Sequence, residues 1–347
     1  MVALLLVIDK RAAQPDVERE KAAAQPIYPS TMKAIQISAF GGPESMQLVD
    51  LPDPVVKPGL EVIDVSAIGI NYADTHQTEN SYLSPQKLPL VPGIEVVGRT
   101  ASGRRVLTAV TSGGYAQKAS AYSAAMIDVP EGVSDAQALC MLVQGSTAWH
   151  ILKTVGHIKT GESVVIHAAA GGVGTIAIQL AKMWGAKVIA VASTAAKRDL
   201  AKSLGADAVI DADQDTLLSA ILEANNGKPV DVVLEMVGGK TFDVSLEALA
   251  PFGRLIVYGM ASRTAPTAIH PGSLMGGSKT ITGFWLSHCF GKKELMNDVI
   301  NELFDLVKSG ELKPVIGATF GLSQARQAHQ AMLARETTGK ITLNPGA

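Results

Sequence analysis

The run Ala168-Ala169-Ala170-Gly171-Gly172-Val173-Gly174 follows the apolar stretch SVVIHA and precedes Ile176, Leu180 and Met183, which fall at i, i+4 and i+7. Laid on the G-x-G-x-x-G pattern, its small positions are Ala169, Gly171 and Gly174. The chemistry of that spacing is phosphate binding. A small first residue allows a tight turn, a bare Gly171 backbone lets a pyrophosphate approach, and Gly174 lets helix and strand pack closely. The helix N-terminal amides then face the anion. Glycines alone signal little; a strand before and a helix after them make Ala170, Gly171, Gly172, Val173 and Gly174 a dinucleotide site. The next strand, KVIAVAS, ends where an Asp or Glu about 20 residues on would bind a ribose 2′-hydroxyl. Ser193 and Thr194 stand there instead, followed by Lys197 and Arg198. A carboxylate repels a 2′-phosphate, whereas a hydroxyl and a cation accept it. The expected cofactor is NADPH, with Ser193 and Lys197 at the phosphate. Lys197 and Arg198 also read as solvated residues of a first helical turn, but cations are slightly unfavourable there.

The elements that must hold this loop alternate. SVVIHA reads as a buried parallel strand, followed by the helix after Gly174, KVIAVAS, the helix KRDLAKSL, the strand DAVID, a helix near 216–224, the strand DVVLEMV, a helix ending near Ala250 and the strand RLIVYGM. Alternation of this kind implies an α/β fold with a doubly wound parallel Rossmann sheet. Gly185 and Gly205 each sit between a helix and the next strand, as left-handed helix ends. Before this unit, KAIQI, MQLVDLPDP, LEVIDVSAIGI and RRVLTAV are short, β-branched and broken by turn residues, the pattern of an irregular β-rich domain. After ITGFWL, Met296, Ile300, Leu303 and Val307 mark one helix face; a strand near 315–320, a short helix from Ser323 and the strand KITLN follow. The tail is expected to return to the first domain. The resulting division is an N-terminal extension over 1–31, a substrate domain over 32–145 and 287–347, and a nucleotide domain over 146–286.

Composition narrows the partners. The 347 residues carry 30 Lys plus Arg against 32 Asp plus Glu, a net charge of −2 without a block of like charge. That argues against a nucleic-acid or anionic-membrane binder. Two distant cysteines, Cys140 and Cys289, form neither a disulfide framework nor a thiolate zinc pair. Ala3–Ile8 is apolar but short for a signal core, residues 9–21 are rich in acids, and no stretch reaches the roughly 20 apolar residues of a membrane span. A cytoplasmic location is expected.

In order, AAAGGVG, LGADAVID, DVVLEMVGG, GRLIVYGMAS, ITGFWL and GKITL resemble the medium-chain dehydrogenase/reductase superfamily, in particular its zinc-independent quinone oxidoreductase (zeta-crystallin-like) branch. The match runs from Met32 to about Asn344. It implies a GroES-like first domain, a Rossmann second domain, a cleft between them, and a homodimer with ITGFWL as the edge strand. Zinc-dependent alcohol dehydrogenases of the superfamily carry a histidine in a GHE run and a four-Cys lobe. Here the run is Pro92-Gly93-Ile94-Glu95, with Ile94 at the histidine position, and no cysteine cluster exists. A catalytic zinc needs three protein ligands, so no metal is expected. The rival short-chain pattern, Tyr followed four residues on by Lys, is absent at all six tyrosines.

The resemblance also nominates site residues. Asn71-Tyr72-Ala73-Asp74-Thr75-His76 resembles the family's NxxDxY segment, which makes Asn71 the cleft amide and puts His76 at the tyrosine position. An imidazole there could stabilise a developing enolate or quinol oxygen; a plain loop histidine is the equal alternative. Thr147 of QGST is expected on the nicotinamide side. Tyr258 and Gly259 end the fifth strand, where ligands sit in open sheets. Phe284 and Trp285 resemble the edge that meets the carboxamide, and are as readily core aromatics. Lys340 resembles a basic residue near the cofactor, although a solvated surface lysine is the commoner case. The implied activity is hydride transfer from NADPH to quinones or other α,β-unsaturated carbonyls. An enone or alkenal double-bond reductase, or a non-catalytic NADPH-binding sensor or structural protein, are the alternatives.

Overall fold

The computed structural model describes residues 30–81 and 83–347. Most of the N-terminal extension expected over 1–31 lies outside the described residues. Its last two positions are already folded: Ser30 O accepts from Asp53 N at 2.9 Å, and Thr31 pairs with Pro52. The chain begins with β1 (Thr31–Gln36) and β2 (Gln47–Pro52), an antiparallel pair. Next come β3 (Leu60–Ile70), α1 (Tyr72–Glu79), β4 (Glu95–Thr100), β5 (Arg105–Ala109), β6 (Lys118–Tyr122), β7 (Ile127–Asp128) and α2 (Asp135–Cys140). A π-type turn over Met141–Gly145 leads into α3 (Ser146–Leu152). Strand β3 shifts register against β4 between Val65 and Ala67. A bulge of this kind bends a strand, and β3 pairs β6 through its first half and the chain's last strand through its second.

The alternating unit follows: β8 (Ser163–Ile166), α4 (Gly172–Met183), β9 (Lys187–Val191), α5 (Ala195–Ser203), β10 (Ala208–Ile210), α6 (Leu217–Ala224), β11 (Val230–Glu235), α7 (Gly239–Glu247), β12 (Leu249–Val257) and β13 (Thr280–Gly283). Its six strands are parallel in the order β10-β9-β8-β11-β12-β13, the doubly wound Rossmann order. Strand β8 is buried along its whole length, as its continuous branched residues require. Gly185 and Gly205 take positive φ of 79° and 107° at their helix ends. Two details differ from expectation. Met183 is 37% exposed, because α4 is buried along Gly174–Ala181 and its last turn leaves the sheet. The helix expected to end near Ala250 stops at Glu247, and β12 starts early with a register shift opposite Val230–Val232.

The tail forms α8 (Asn297–Ser309), β14 (Ile316–Gly321), α9 (Ala325–Leu333) and β15 (Lys340–Asn344). Met296, Ile300, Leu303 and Val307 are all buried. Strand β15 pairs β3 antiparallel and β14 parallel, within the order β14-β15-β3-β4-β5-β7. Gly339, just before β15, bonds from its amide to Ala170 O at 2.8 Å. The tail thus ties the β-rich sheet to the glycine turn of the Rossmann unit.

Candidate active site

Three chain crossings build the site: the glycine turn at the C-terminal end of β8, helix α1 after β3, and the segment after β12. They enclose one cavity of about 1700 Å³. At one end lie Gly171–Gly174. Ala168 takes a positive φ of 47°, Gly171 N donates to Ala168 O at 2.8 Å, and Gly171 is the N-cap of α4 and supplies no side-chain cap. The first amides of a helix need partners, and here they border the cavity. The glycines differ in what they make room for. A Cβ on Gly174 would meet Ala168 O at 2.6 Å, so helix and turn touch there; a Cβ on Gly172 would meet the Gln144 amide at 2.1 Å; on Gly171 its nearest neighbour is Ala168 O at 3.2 Å. Gly171 is therefore the position at which space is left for a ligand, as a pyrophosphate cradle requires. Gly174→Ala is expected to cost about 1–3 kcal/mol through this backbone collision, seen as a lower urea midpoint; an unchanged midpoint would mean that the turn gives way freely.

Ser193 and Lys197 also border the cavity. Thr194 caps α5, accepting from Lys197 N at 3.3 Å. The Lys197 ammonium reaches Arg335 O at 2.5 Å. Burial, then the Arg335 charge, hold the Lys197 pKa below its usual value. Two facing cations at a cavity rim suit an anion of high charge. Arg198, the other cation of the KR pair, turns away to Asp211 at 2.5 Å and is not in the cavity wall. Arg335 takes its place. No spacing in the sequence tied Arg335, which lies 138 residues further on, to Lys197.

Asn71, His76, Thr147, Tyr258, Gly259 and Phe284 all border the same cavity. Asn71 is 4% exposed; its Nδ2 donates to Glu95 Oε1 at 2.7 Å and its Oδ1 accepts from Lys340 Nζ at 3.2 Å. His76 Nδ1 lies 3.0 Å from Ser81 Oγ, and burial, then the Arg263 charge, lower its pKa. Its ring is neutral at neutral pH. Lys340 is not a solvated surface lysine: it is fully buried, and its neighbours Gly339 and Ile341, not Lys340 itself, form the cavity wall. Its ammonium is ion-paired with Glu95, and both side chains are closed to solvent. Room for the Glu95 carboxylate comes from Gly69, where a Cβ would sit 2.3 Å from Oε1. The second Glu95 oxygen accepts from Val143 N at 3.2 Å, an amide presented by the π-type turn.

Tyr72, Ile94, Val110, Leu142, Trp285 and Phe290 also line the cavity and give it apolar wall. Helix α1 is strapped to the segment after β12: Tyr72 Oη donates to Ala261 O at 3.0 Å, and Arg263 pairs with Glu79 at 3.0 Å. A nucleotide-sized cleft at the C-terminal edge of a Rossmann sheet, roofed by a β-rich unit, defines the class of two-domain nucleotide-dependent oxidoreductases.

A zinc-binding dehydrogenase family model matches residues 172–308. The quinone oxidoreductase of Pseudomonas aeruginosa is 33% identical over 327 residues, covering 90% of this chain and 99% of that protein. A mycobacterial protein solved with NADPH superposes with a TM-score of 0.85 at 36% identity, covering 90% of this chain and all of that one. The Escherichia coli quinone oxidoreductase solved with NADPH gives 0.85 at 31% identity with the same coverage. The chain belongs to the medium-chain dehydrogenase/reductase superfamily, in its quinone oxidoreductase (zeta-crystallin-like) branch.

Proposed function

We propose that the protein is an NADPH-dependent reductase of quinones and related α,β-unsaturated carbonyls that works without a metal. The observation that carries this reading is that one cavity is lined by a glycine-turn helix N-terminus without a side-chain cap, by the Lys197 and Arg335 cations and by apolar side chains. The same two features fit the cofactor: Gly171 leaves the space a pyrophosphate needs, and the cations suit a 2′-phosphate. The relatives solved with NADPH support the assignment. Bound NADPH would supply the hydride.

The protein's own contribution is binding, orientation and exclusion of water. Gly171–Gly174 would hold the pyrophosphate, and Ser193, Lys197 and Arg335 the 2′-phosphate. Thr147, Tyr258, Gly259 and Phe284 border the same cavity and would flank the nicotinamide. Asn71, fixed by Glu95 and Lys340, presents its remaining N–H to the cleft. Neutral His76 can donate a hydrogen bond to an oxygen that gains charge. Lys340 acts on the cleft through Asn71. Metal independence is supported by Ile94 in the cavity wall and by Glu95, whose carboxylate is already engaged. Among the described residues no group of three His, Cys, Asp or Glu is arranged to hold a metal ion.

The domain division at about 145 and 287 belongs to the same proposal, and the pairing of β15 with β3 supports it. Strand β13 ends its sheet, which supports a homodimer formed edge to edge there. No helix among the described residues is long and apolar enough to cross a membrane, and a cytoplasmic location is proposed. The test is NADPH oxidation in chelator with a panel of ortho-quinones, para-quinones and enones. Turnover of quinones is expected; turnover of enones alone would make the protein a double-bond reductase. Asn71→Ala is expected to lower kcat/KM about tenfold, roughly the worth of one hydrogen bond; an unchanged value would remove Asn71 from the site.

A further inference from the structure

Between β2 and β3 the chain reads Asp53-Pro54-Val55-Val56-Lys57-Pro58-Gly59, and the reduction as described uses none of it. Pro54 and Pro58 fix φ and withhold backbone donors, so the segment does not extend the sheet, and Gly59 turns it at a φ of 78°. Its two valines are left outside: Val55 is 73% exposed and Val56 72%. Both ends of the segment are tied down. Asp53 pairs with Lys118 of β6 at 3.1 Å, and Gly59 O accepts from Ser123 N at 3.1 Å. The second bond brings the turn after β6 alongside, and Leu60 pairs with Tyr122 across β3 and β6. Tyr122 is itself 63% exposed. Single apolar residues on a surface need no explanation, but several gathered in a fixed frame mark a binding surface.

This surface is continuous with the cleft. Pro54, Val55, Leu60, Tyr122, Ala124 and Ala125 border the same cavity as Asn71 and His76. Bonded neighbours join the two places. Ala125 O accepts from Thr108 Oγ1 at 3.4 Å, and Thr108 leads along the chain into Ala109, Val110 and Thr111, which are cavity wall. Thr111 O in turn accepts at 3.4 Å from Nε2 of Gln77, the residue after His76 on α1. Polar atoms are sparse on this strip: Ser120 Oγ is closed to solvent, and Lys57 is exposed, so its ammonium reaches water. The cavity of about 1700 Å³ also exceeds the roughly 300–1,000 Å³ of a usual small-molecule site, which leaves room beside a dinucleotide for an acceptor larger than a bare ring.

We propose that this strip binds the apolar tail of the acceptor, so that the preferred substrates are quinones or enones carrying an alkyl or isoprenoid chain. The proposal rests on the reductase reading above. With the reacting ring held at Asn71, the chain runs past Val110 and Ala109 to Tyr122, Leu60 and Val55. Continuity with the cleft is what assigns the strip to the acceptor: a chain attached to that ring meets this wall first, whereas a protein partner docked on the outside has no use for side chains that line the cavity. Covering apolar area stabilises in proportion to the area covered. The tail is covered equally before and during hydride transfer, so the gain falls on KM and leaves kcat as it is.

Steady-state reduction of 2-alkyl-1,4-naphthoquinones from methyl to hexyl, by wild type and by Val55→Ser/Tyr122→Ser, tests this. Complete burial of a methylene is worth about fourfold; on an open strip about twofold is expected, so kcat/KM should rise about thirtyfold over the five added methylenes, through KM. In the double variant the rise should shrink below about fivefold, with the methyl compound reduced as by wild type and NADPH affinity unchanged. Both substitutions fall on exposed side chains, which keeps folding out of the readout. A series indifferent to chain length, or a rise that the variant keeps in full, would overturn the tail site. A flat series together with a smaller assembly of the variant in sedimentation would make the strip a contact between copies of this chain, and would also overturn it. If no quinone or enone of any chain length is reduced, the reductase reading falls and takes the tail site with it.

Discussion

Lys340→Met is expected to destabilise the protein by about 3–5 kcal/mol, the cost of leaving one partner of a buried ion pair uncompensated. Lys340 and Glu95 are both closed to solvent. Methionine fills the volume of the lysine stem, so the loss is electrostatic and not a cavity. The Glu95 carboxylate would retain Asn71 Nδ2 and Val143 N as donors and lose its counter-charge. The double variant Glu95→Gln/Lys340→Met removes both charges and should recover most of the loss. Urea unfolding with the slope held constant is the measurement. A single variant as stable as the double would mean that the pair contributes nothing. Because Asn71 accepts from Lys340 at 3.2 Å, the single variant should also loosen Asn71 in the cleft.

Lys197→Ala combined with Arg335→Ala should weaken NADPH about a hundredfold and NADH less than about threefold. Each cation is partly or fully exposed, which places a charge-assisted bond to phosphate near the lower end of its range, about 1.5 kcal/mol; two give about 3 kcal/mol, or two orders of magnitude. Lys197 already carries an unfavourable neighbour in Arg335 and some burial. A 2′-phosphate relieves that repulsion, so the difference between the two nucleotides should shrink as salt rises. An equal loss for NADPH and NADH would move both residues out of the phosphate site.

Much of this was legible in the sequence for a physical reason. The βα unit is local: a buried strand, a turn with three small positions and a helix with one apolar face are all encoded within about 30 residues. LEVIDVSAIGI and KITLN likewise appear as β3 and β15 with their ends as read. The parts that were not legible are long-range. Lys340 was nominated as a basic residue near the cofactor, with a surface lysine as the alternative, and its burial against Glu95 was not foreseen because nothing near GKITL announces a partner that lies 245 positions earlier. Arg198 was read as a phosphate cation with Lys197, because adjacency in sequence does not show that one side chain turns to Asp211. Tyr115 is fully buried, and its bonds to Asp74 and His329 depend on α1 and α9 meeting, which no local spacing shows. The π-type turn over Met141–Gly145 has no spacing of its own, yet it presents Val143 N to Glu95.

Hydride transfer from a 2′-phosphorylated nicotinamide cofactor is the central claim, and the ratio of kcat/KM for NADPH to that for NADH with 9,10-phenanthrenequinone in chelator tests it most directly. The expected result is rapid oxidation of NADPH with a ratio of about a hundred, for the reason given for Lys197 and Arg335. Oxidation no faster than without protein, or a ratio near one, would contradict it.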